Sequence, residues 1–426
     1  MKVFIESYGC TFNQADGQII AGNLVENDID IVDSIEDADV IIVNTCYVKL
    51  PTEDKMTFRI QKLQKEFPDK KIIVGGCMVE IDPDKLDKIG GDISWIGPHQ
   101  LNKSSEVVRA TYCGDVIRET GFSKDSKVGV PKIDDGSLIH ILQICEGCLG
   151  ACTFCCTRFA RGPLNSYPIR DIVAEAKWAI ENGACEIQLT AQDTAAFGRD
   201  SGEKLSDLIK EVANLDGDFR VRVGMMHPKN ILNDVDEIIE AIKHPKVYDF
   251  IHLPVQSGSD KVLSDMRRGH TISQYKEIVS KFKKEIPNIS LAVDIIVGYP
   301  TENDDDFNQT VKLLKDIKPS LIHLSKYQHR IGAISSSLTE IPREIMKERS
   351  KFLSKIKSEI TEEENKELVN SIQKVLVVEK GSKGGYIAKT DSYIPVIVDN
   401  VELGTFVDVK ITEATSTYLK SELTNV

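Results

Sequence analysis

The chain has 426 residues, of which 41% are hydrophobic and 28% charged, a composition typical of a soluble protein of two or three domains. No apolar run is long enough to span a bilayer and the first residues lack a secretory-signal pattern, so a cytoplasmic protein is predicted. The net charge of −13 argues mildly against a nucleic-acid partner, although a local basic groove is compatible with it.

Strand–helix units open the chain and predict a doubly wound parallel α/β domain over residues 1–113. The predicted strands are Lys2–Tyr8, Val40–Val43 and Lys71–Gly75. Three cysteines, Cys10, Cys46 and Cys77, each follow one of them. In open α/β sheets the carboxyl ends of the strands form the ligand-binding edge. We therefore expect these thiols to converge there.

The remainder of the chain divides into three parts. Residues 114–137 are polar and are interpreted as a linker. Residues 138–366 contain six strands separated by helical patterns, which predicts a partial (β/α)6 barrel, because a closed barrel of this type has eight units. Residues 367–426 contain short strands separated by Gly-rich turns and predict a small all-β barrel. The barrel strands are predicted at Leu138–Ile144, Glu186–Thr190, Arg220–Gly224, Phe250–Pro254, Ile289–Gly298 and Leu321–Lys326.

Ten cysteines are present, and five of them fall between Cys145 and Cys156. Grouped cysteines in a reducing compartment indicate a metal or a catalytic site. Cys148, Cys152 and Cys155 have the spacing C-x3-C-x2-C on a loop after a strand, which favours an iron–sulfur cluster with one open iron. Zinc remains an alternative, but no His stands beside the segment to complete four ligands. The flanking Cys145 and Cys156 are interpreted as packing residues.

This cysteine loop, placed after the first strand of a βα barrel, resembles the radical S-adenosylmethionine (SAM) superfamily. The segments Phe250–Ser259 and Val293–Glu302 are similar to parts of the same superfamily. The resemblance implies a [4Fe–4S] cluster that binds SAM and cleaves it reductively to a 5′-deoxyadenosyl radical. It also implies SAM contacts, for which the candidates are Gln192, Asp193, Arg222, Gln256, Ser257, Asp294 and Val297. His252 is interpreted as a hydrogen-bonded interior histidine.

The N-terminal domain resembles the methylthiotransferases through Ser7–Asn13, Asn44–Cys46 and Gly75–Cys77. In that family the three matching cysteines, Cys10, Cys46 and Cys77, bind a second [4Fe–4S] cluster. The β-rich tail resembles the RNA-binding TRAM domain. The resemblance thus covers nearly the whole chain and implies two SAM molecules for each reaction. One supplies a methyl group to a sulfur on the second cluster, and the other supplies the radical.

The segments Asn13–Gly17, Glu186–Asp200 and Arg222–Pro228 are most similar to the archaeal and eukaryotic branch. That branch methylthiolates C2 of N6-threonylcarbamoyladenosine at tRNA position 37, beside the anticodon. The implied partners are tRNA and an electron donor such as ferredoxin or flavodoxin. The candidate phosphate contacts are Arg158, Arg161, Arg267, Arg268, Lys380 and Lys383.

Two features depart from the family pattern. Where the family often has Pro-Arg-Pro-Gly-Thr-Pro, this chain has His329–Ile334, and Cys156 follows the cluster motif directly. Three alternatives stay open. The substrate could be isopentenyl-adenosine in tRNA or a ribosomal protein. The chain could be a non-catalytic iron–sulfur RNA-binding or redox-sensing protein. The N-terminal cysteines could be core residues of a single-cluster enzyme.

Overall fold

The computed structural model describes residues 1–47, 50–133, 136–382 and 384–424. They form an N-terminal α/β domain, a central barrel and a C-terminal β-barrel, as the sequence predicts. Within these residues, no helix is both long and apolar enough to cross a membrane.

The N-terminal domain is built on a six-stranded parallel sheet of order β2-β1-β3-β4-β5-β6. Its strands are β1 (Lys2–Ser7), β2 (Asp30–Ile31), β3 (Val40–Thr45), β4 (Lys71–Gly76), β5 (Ile93–Ile96) and β6 (Arg118–Glu119). Its helices are α1 (Thr11–Glu26), α2 (Leu50–Glu66), α3 (Cys77–Ile81), α4 (Pro83–Ile89) and α5 (Ser104–Cys113).

Strand β3 shows why this sheet is doubly wound. All of its residues are buried, as expected for a parallel strand covered on both faces. Val40 and Ile42 pack with α1 and α5 on one face. Ile41 and Val43 pack with α2, α3 and α4 on the other. The predicted linker is partly ordered, because β6 extends the edge of the sheet.

The central domain contains two three-stranded parallel sheets, β11-β10-β7 and β12-β13-β14, which together form the partial barrel. The barrel strands are β7 (Ile139–Gln143), β10 (Glu186–Thr190), β11 (Arg220–Val223), β12 (Phe250–His252), β13 (Ser290–Val297) and β14 (Leu321–Lys326). A small antiparallel pair, β8 (Cys145–Glu146) and β9 (Asn165–Ser166), lies beside the cysteine loop.

Helices cover the outside of this barrel and bury its main apolar core. Residues 228–242 form two helices, because Pro228 starts a short first helix and Asp234 precedes the second in a non-helical conformation. The helices are α6 (Thr157–Arg161), α7 (Ile169–Glu181), α8 (Leu205–Ala213), α9 (Pro228–Ile231), α10 (Val235–Ile242), α11 (Asp260–Asp265), α12 (Ile272–Glu285), α13 (Asp304–Ile317) and α14 (Arg343–Lys366).

The C-terminal domain is a closed barrel of strand order β15-β16-β17-β19-β18. The strands are β15 (Ile372–Lys380), β16 (Tyr386–Thr390), β17 (Pro395–Val398), β18 (Phe406–Ala414) and β19 (Leu419–Leu423). The last strand was not predicted from the sequence. Its pattern is polar, but Leu419 is fully buried and closes the barrel core.

Candidate metal centres

Three cysteines meet at the carboxyl edge of the N-terminal sheet. Cys10 follows β1, Cys46 follows β3, and Cys77 begins α3 after β4. Because β1, β3 and β4 are adjacent strands, their carboxyl ends bring the thiols to one edge. Cys46 and Cys77 are buried, whereas Cys10 is exposed. We call these residues the N-terminal trio.

Two glycines allow the loops of this trio to approach each other. Gly9 has φ +105°, and a Cβ there would lie 2.4 Å from Cys46 Cβ and 2.8 Å from Cys46 Sγ. Gly76 has φ +87°, and a Cβ there would lie 2.3 Å from the carbonyl oxygen of Thr45. Glycine alone satisfies both the left-handed conformation and the close contact. The edge is therefore shaped around the thiols.

The second trio, Cys148, Cys152 and Cys155, lies on the loop between β8 and α6, and all three side chains are partly buried. We call these residues the loop trio. The backbone N–H of Gly150 donates to Cys148 Sγ at 3.1 Å. A side chain at Gly150 would lie 3.2 Å from Cys148 Sγ and 3.7 Å from Cys152 Sγ, so the loop curls tightly round its own sulfurs.

Two cationic or polar groups from other loops of the barrel approach Cys152. The guanidinium of Arg268 donates to Cys152 Sγ at 3.3 Å, and His227 Nε2 lies 3.9 Å from the same sulfur. Arg268 is buried, so its charge acts at short range on the thiol. Donors directed at sulfur suit thiolate ligands of a metal centre better than neutral thiols.

Burial shifts the pKa of at least one thiol in each trio. Burial raises the pKa of Cys148 to about 11 and that of Cys77 to about 12. Arg161 opposes the shift at Cys77, while the thiols of Cys46 and Cys10 add to it. At neutral pH both groups are protonated in the free protein, so metal binding must displace their protons.

The donor chemistry of each trio suits an iron–sulfur cluster. Each trio offers three cysteine sulfurs, and a four-iron cluster held by three thiolates keeps one iron open. Structural zinc needs a fourth ligand, and His227 Nε2 lies 3.9 Å from Cys152 Sγ. Across the described ranges, no group of three or more His, Cys, Asp or Glu is arranged to hold a metal ion.

The two trios are neighbours in space. Helix α3, which begins at Cys77, packs against α6, which follows the loop trio. Cys156 is buried in the apolar cluster that contains Cys77, and its thiol lies 3.8 Å from the carbonyl oxygen of Tyr47. Cys145 is buried in the barrel core. Both flanking cysteines thus occupy packing positions.

Two of the SAM candidates, Gln192 and Asp193, hold the protein framework together. The side-chain oxygen of Gln192 accepts a hydrogen bond from Gly147 N–H at 2.7 Å, which anchors the start of the cysteine loop. Asp193 is buried and accepts from His227 N–H at 2.8 Å and Asn230 Nδ2 at 2.6 Å. Protein donors therefore surround the Asp193 carboxylate, and the SAM contact there stays a prediction.

Arg222 lies against aromatic rings of the central and C-terminal barrels. Its guanidinium lies 5.3 Å from the Phe250 ring and 5.2 Å from the Tyr393 ring of the C-terminal barrel. Phe250 begins β12, so these contacts lie toward the amino ends of the strands, opposite the cysteine loop. The SAM contact at Arg222 stays a prediction.

Gln256 and Ser257 differ in the exposure of their side chains. Gln256 is half-buried with φ +75°, and its backbone bridges to β13. Ser257 is fully buried, and its hydroxyl accepts from Ser259 N–H at 3.2 Å. The hydroxyl of Ser257 is thus used within the protein, and the SAM contacts at Ser257 and Gln256 both stay predictions.

The two SAM candidates on β13, Asp294 and Val297, face opposite sides of the strand. Asp294 is half-buried inside the barrel and pairs with His252 Nε2 at 2.5 Å. His252 is thus hydrogen-bonded inside the barrel, as the sequence suggested. The side chain of Val297 is buried in the outer core, so only its backbone could face a ligand.

The six phosphate-contact candidates separate by exposure. Arg158, Arg267 and Lys380 are exposed, while Lys383 lies outside the described residues. Arg161 and Arg268 are buried because each pairs with an interior group, and their phosphate contacts stay predictions. Sequence reasoning did not single out the interior contacts of Asp16, which is buried on α1 together with Asn13.

Comparisons with protein families match three regions of the chain. The Radical SAM superfamily matches residues 142–314, the uncharacterized protein family UPF0004 matches residues 2–97, and the TRAM domain matches residues 366–424.

Similar proteins carry consistent names. A probable threonylcarbamoyladenosine tRNA methylthiotransferase from Methanothermobacter thermautotrophicus is 57% identical and covers 99% of both chains. One from Pyrococcus horikoshii is 39% identical over 99% of both. The Homo sapiens threonylcarbamoyladenosine tRNA methylthiotransferase is 36% identical over 99% of this chain and 74% of its own length.

Among solved structures, the radical S-adenosylmethionine methyltransferase TsrM from Kitasatospora setae, with cobalamin and a [4Fe–4S] cluster bound, has a TM-score of 0.59. It is 13% identical over 79% of this chain and 74% of its own. At this identity the likeness concerns the fold alone.

Proposed function

The chain belongs to the threonylcarbamoyladenosine tRNA methylthiotransferases, which are radical-SAM enzymes, and from this membership we propose a two-cluster reaction at C2 of N6-threonylcarbamoyladenosine. The proposed target is position 37 of tRNA, and the product is the 2-methylthio derivative. Each reaction consumes two molecules of SAM.

The observation that carries this proposal is the adjacency of the two trios. Each trio supplies three thiols, and α3 packs on α6 between them. A [4Fe–4S] cluster on the loop trio would supply reductive cleavage of SAM, and one on the N-terminal trio would supply a sulfur that accepts a methyl group. The C2–H bond of adenine is not acidic, so a radical suits it better than acid–base chemistry.

Residues of the chain prepare these sites. The N–H of Gly150 and the guanidinium of Arg268 donate to sulfurs of the loop trio. Gln192 fixes the start of the loop through Gly147. Hydrogen bonds that other residues make to the ligands of a metal orient those ligands and tune their basicity. SAM would contact Gln256 and the backbone at Val297 along the carboxyl edge of the barrel.

Recognition of tRNA is proposed to use local cations despite the overall charge of −13. The TRAM match supports RNA binding by residues 366–424. Exposed Arg158, Arg267 and Lys380 are the proposed phosphate contacts, since such contacts position an RNA without reading its sequence. We propose a cytoplasmic location and an electron donor such as ferredoxin or flavodoxin.

The test is anaerobic reconstitution with SAM, a low-potential reductant and tRNA that carries N6-threonylcarbamoyladenosine. We expect about eight irons per chain, release of 5′-deoxyadenosine, and methylthio-threonylcarbamoyladenosine among the nucleosides. Replacement of all three residues of the N-terminal trio by Ala should halve the iron and keep SAM cleavage. Iron without 5′-deoxyadenosine would instead identify a sensor. Product only on isopentenyl-adenosine would overturn the substrate assignment.

A further inference from the structure

An ion pair joins the segments that carry the two trios. Asp16 lies in α1, which begins directly after Cys10, and Arg161 ends α6, which begins directly after Cys156. Arg161 NH1 lies 2.6 Å from Asp16 Oδ2. The side chains are 2% and 0% exposed, so this pair is shielded from water and salt.

A second pair makes the arrangement a closed network of two acids and two bases. Glu146, in β8 just before the loop trio, pairs with Arg161 NH1 at 2.8 Å and with Lys127 Nζ at 2.9 Å. Lys127 also pairs with Asp16 Oδ1 at 2.8 Å. The charges cancel within the network. We call Asp16, Arg161, Glu146 and Lys127 the strut.

Neutral groups add hydrogen bonds to the strut, and His99 Nδ1 lies 3.6 Å from Glu146 Oε2. Gln143 Nε2, at the end of β7, donates to Asp16 Oδ1 at 2.9 Å. Arg161 NH2 donates to Asn13 Oδ1 at 3.2 Å, and its guanidinium lies 4.8 Å from the Phe12 ring. The strut therefore ties α1, the linker, β7, β8 and α6 together.

The buried charges of the strut resist separation from one another. Burial alone would raise the pKa of Asp16, but Arg161 and Lys127 outweigh it and hold that pKa below its ordinary value. An ionised carboxylate in the interior needs its cations in place, because an unpaired buried charge is strongly unfavourable. Displacement of one trio relative to the other would separate these charges, so the network resists it.

We propose that Asp16 and Arg161 are positioning residues that fix the separation of the N-terminal trio and the loop trio. The inference rests on the proposed two-cluster function and adds to it the residues that set the distance between the two trios. A radical formed at one site and a sulfur held at the other must meet at a single carbon. Displacement by about 1 Å can cost a hundredfold in such reactions.

The test compares two matched neutralisations of a buried carboxylate. Asp16→Asn removes the strut acid, which pairs with two cations. Glu175→Gln removes an equally buried acid on α7 that pairs with Lys132 and His140. Both proteins are prepared anaerobically as full chains. Three quantities are measured: the iron content, the 5′-deoxyadenosine formed, and the methylthiolated nucleoside formed.

We expect both variants to hold the wild-type amount of iron and to cleave SAM at the wild-type rate. In Asp16→Asn the methylthiolated product per 5′-deoxyadenosine should fall about tenfold or more, since the misplaced radical is lost to other reactions. The magnetic interaction between the two reduced clusters, seen by electron paramagnetic resonance, should change in this variant. Glu175→Gln should leave both the ratio and the spectrum unchanged.

Arg161→Lys provides a second variant, because a lysine keeps the charge but cannot span both acids as the guanidinium fork does. Its product ratio should fall between those of the wild type and Asp16→Asn. A wild-type ratio and spectrum in Asp16→Asn, or an equal loss in Glu175→Gln, would overturn the positioning role. A wild-type protein with only about four irons would instead overturn the two-cluster proposal itself.

Discussion

Tyr393 of the C-terminal barrel packs edge-on against Tyr248 of the central barrel, with ring centroids 4.8 Å apart and planes inclined by 67°. Its ring also lies 4.9 Å from that of Phe250. Since Phe250 begins β12, these contacts close the barrel at the end opposite the cysteine loop. The TRAM domain is thus docked on the barrel by an aromatic contact.

Replacing Tyr393 by Ala should loosen this docking. Two ring contacts are lost, each contributing about 0.5–1.5 kcal/mol beyond the burial of the ring itself. Together with the lost burial, the free energy of unfolding should fall by about 3 kcal/mol or more. Urea unfolding measures the loss, and hydrogen exchange at β10 should accelerate. Tyr418→Ala, at an exposed position on the same barrel, is the control. Equal effects of the two changes would contradict the docking role.

A buried ion pair supports the same interface. Lys389 Nζ lies 3.3 Å from Glu186 Oε1, and the acid is fully buried. Lys389→Met leaves that carboxylate without a cation, which should cost about 3–5 kcal/mol in urea unfolding. The double change Lys389→Met with Glu186→Gln should recover most of the loss, because no charge is then stranded. A double variant as unstable as the single one would show that the charge is not the cause.

The sequence predicted the architecture well because each domain has a regular pattern. Strand β10, for example, was predicted with the bounds that the structure shows. Both trios were located because cysteines at strand ends and at loop spacing are typical of metal centres in a reducing compartment. The burial of Arg161 and Arg268 was not predicted, because burial of an arginine depends on distant partners such as Asp16 and Cys152. Spacing along the chain does not reveal such partners.

Gly9→Ala should remove the N-terminal metal site selectively. Gly9 has φ +105°, and the added methyl would meet Cys46 Cβ at 2.4 Å, so the loop carrying Cys10 must shift. Iron should fall from about eight to about four per chain. SAM cleavage should persist.

Gly114→Ala is the matched control for Gly9→Ala. Its φ is +104°, but no atom lies within 4 Å of an added Cβ. It should cost about 1 kcal/mol of stability through backbone strain and leave the iron content unchanged. Full iron in Gly9→Ala would show that the close approach to Cys46 does not shape the site.

Arg268→Met should lower the reduction potential of the loop-trio cluster. The variant loses a cationic donor to Cys152 Sγ at 3.3 Å, and hydrogen bonds to sulfur set such potentials. SAM cleavage should slow by about 10–100-fold, as for other contacts behind metal ligands. A redox titration followed by electron paramagnetic resonance measures the potential. The control is Arg267→Met, which changes the exposed neighbour and should leave the reduction potential unchanged. Identical potentials in the wild type and both variants would show that Arg268 does not set the potential of the cluster.

Glu175 should contribute stability that depends on pH. Burial alone would raise the pKa of Glu175, but His140 and Lys132 outweigh it and hold the pKa below its ordinary value. His140 Nε2 lies 2.9 Å away, and Gly129 N–H donates to the same carboxylate at 2.7 Å. A carboxyl group with a lowered pKa in the folded state stabilises the fold above its unfolded pKa of about 4.3. That stability is lost as the pH falls through the folded pKa.

Glu175→Gln should therefore cost about 3 kcal/mol at pH 7, where Lys132 loses its buried carboxylate partner. The difference in unfolding free energy between the wild type and the variant should shrink as the pH falls from about 4 through the folded pKa of Glu175, because the carboxyl group is then protonated in both states. Urea unfolding at a series of pH values measures this difference, in which the titration of groups distant from Glu175 cancels. A difference that stays constant from neutral to acidic pH would mean that Glu175 acts through packing and hydrogen bonding alone.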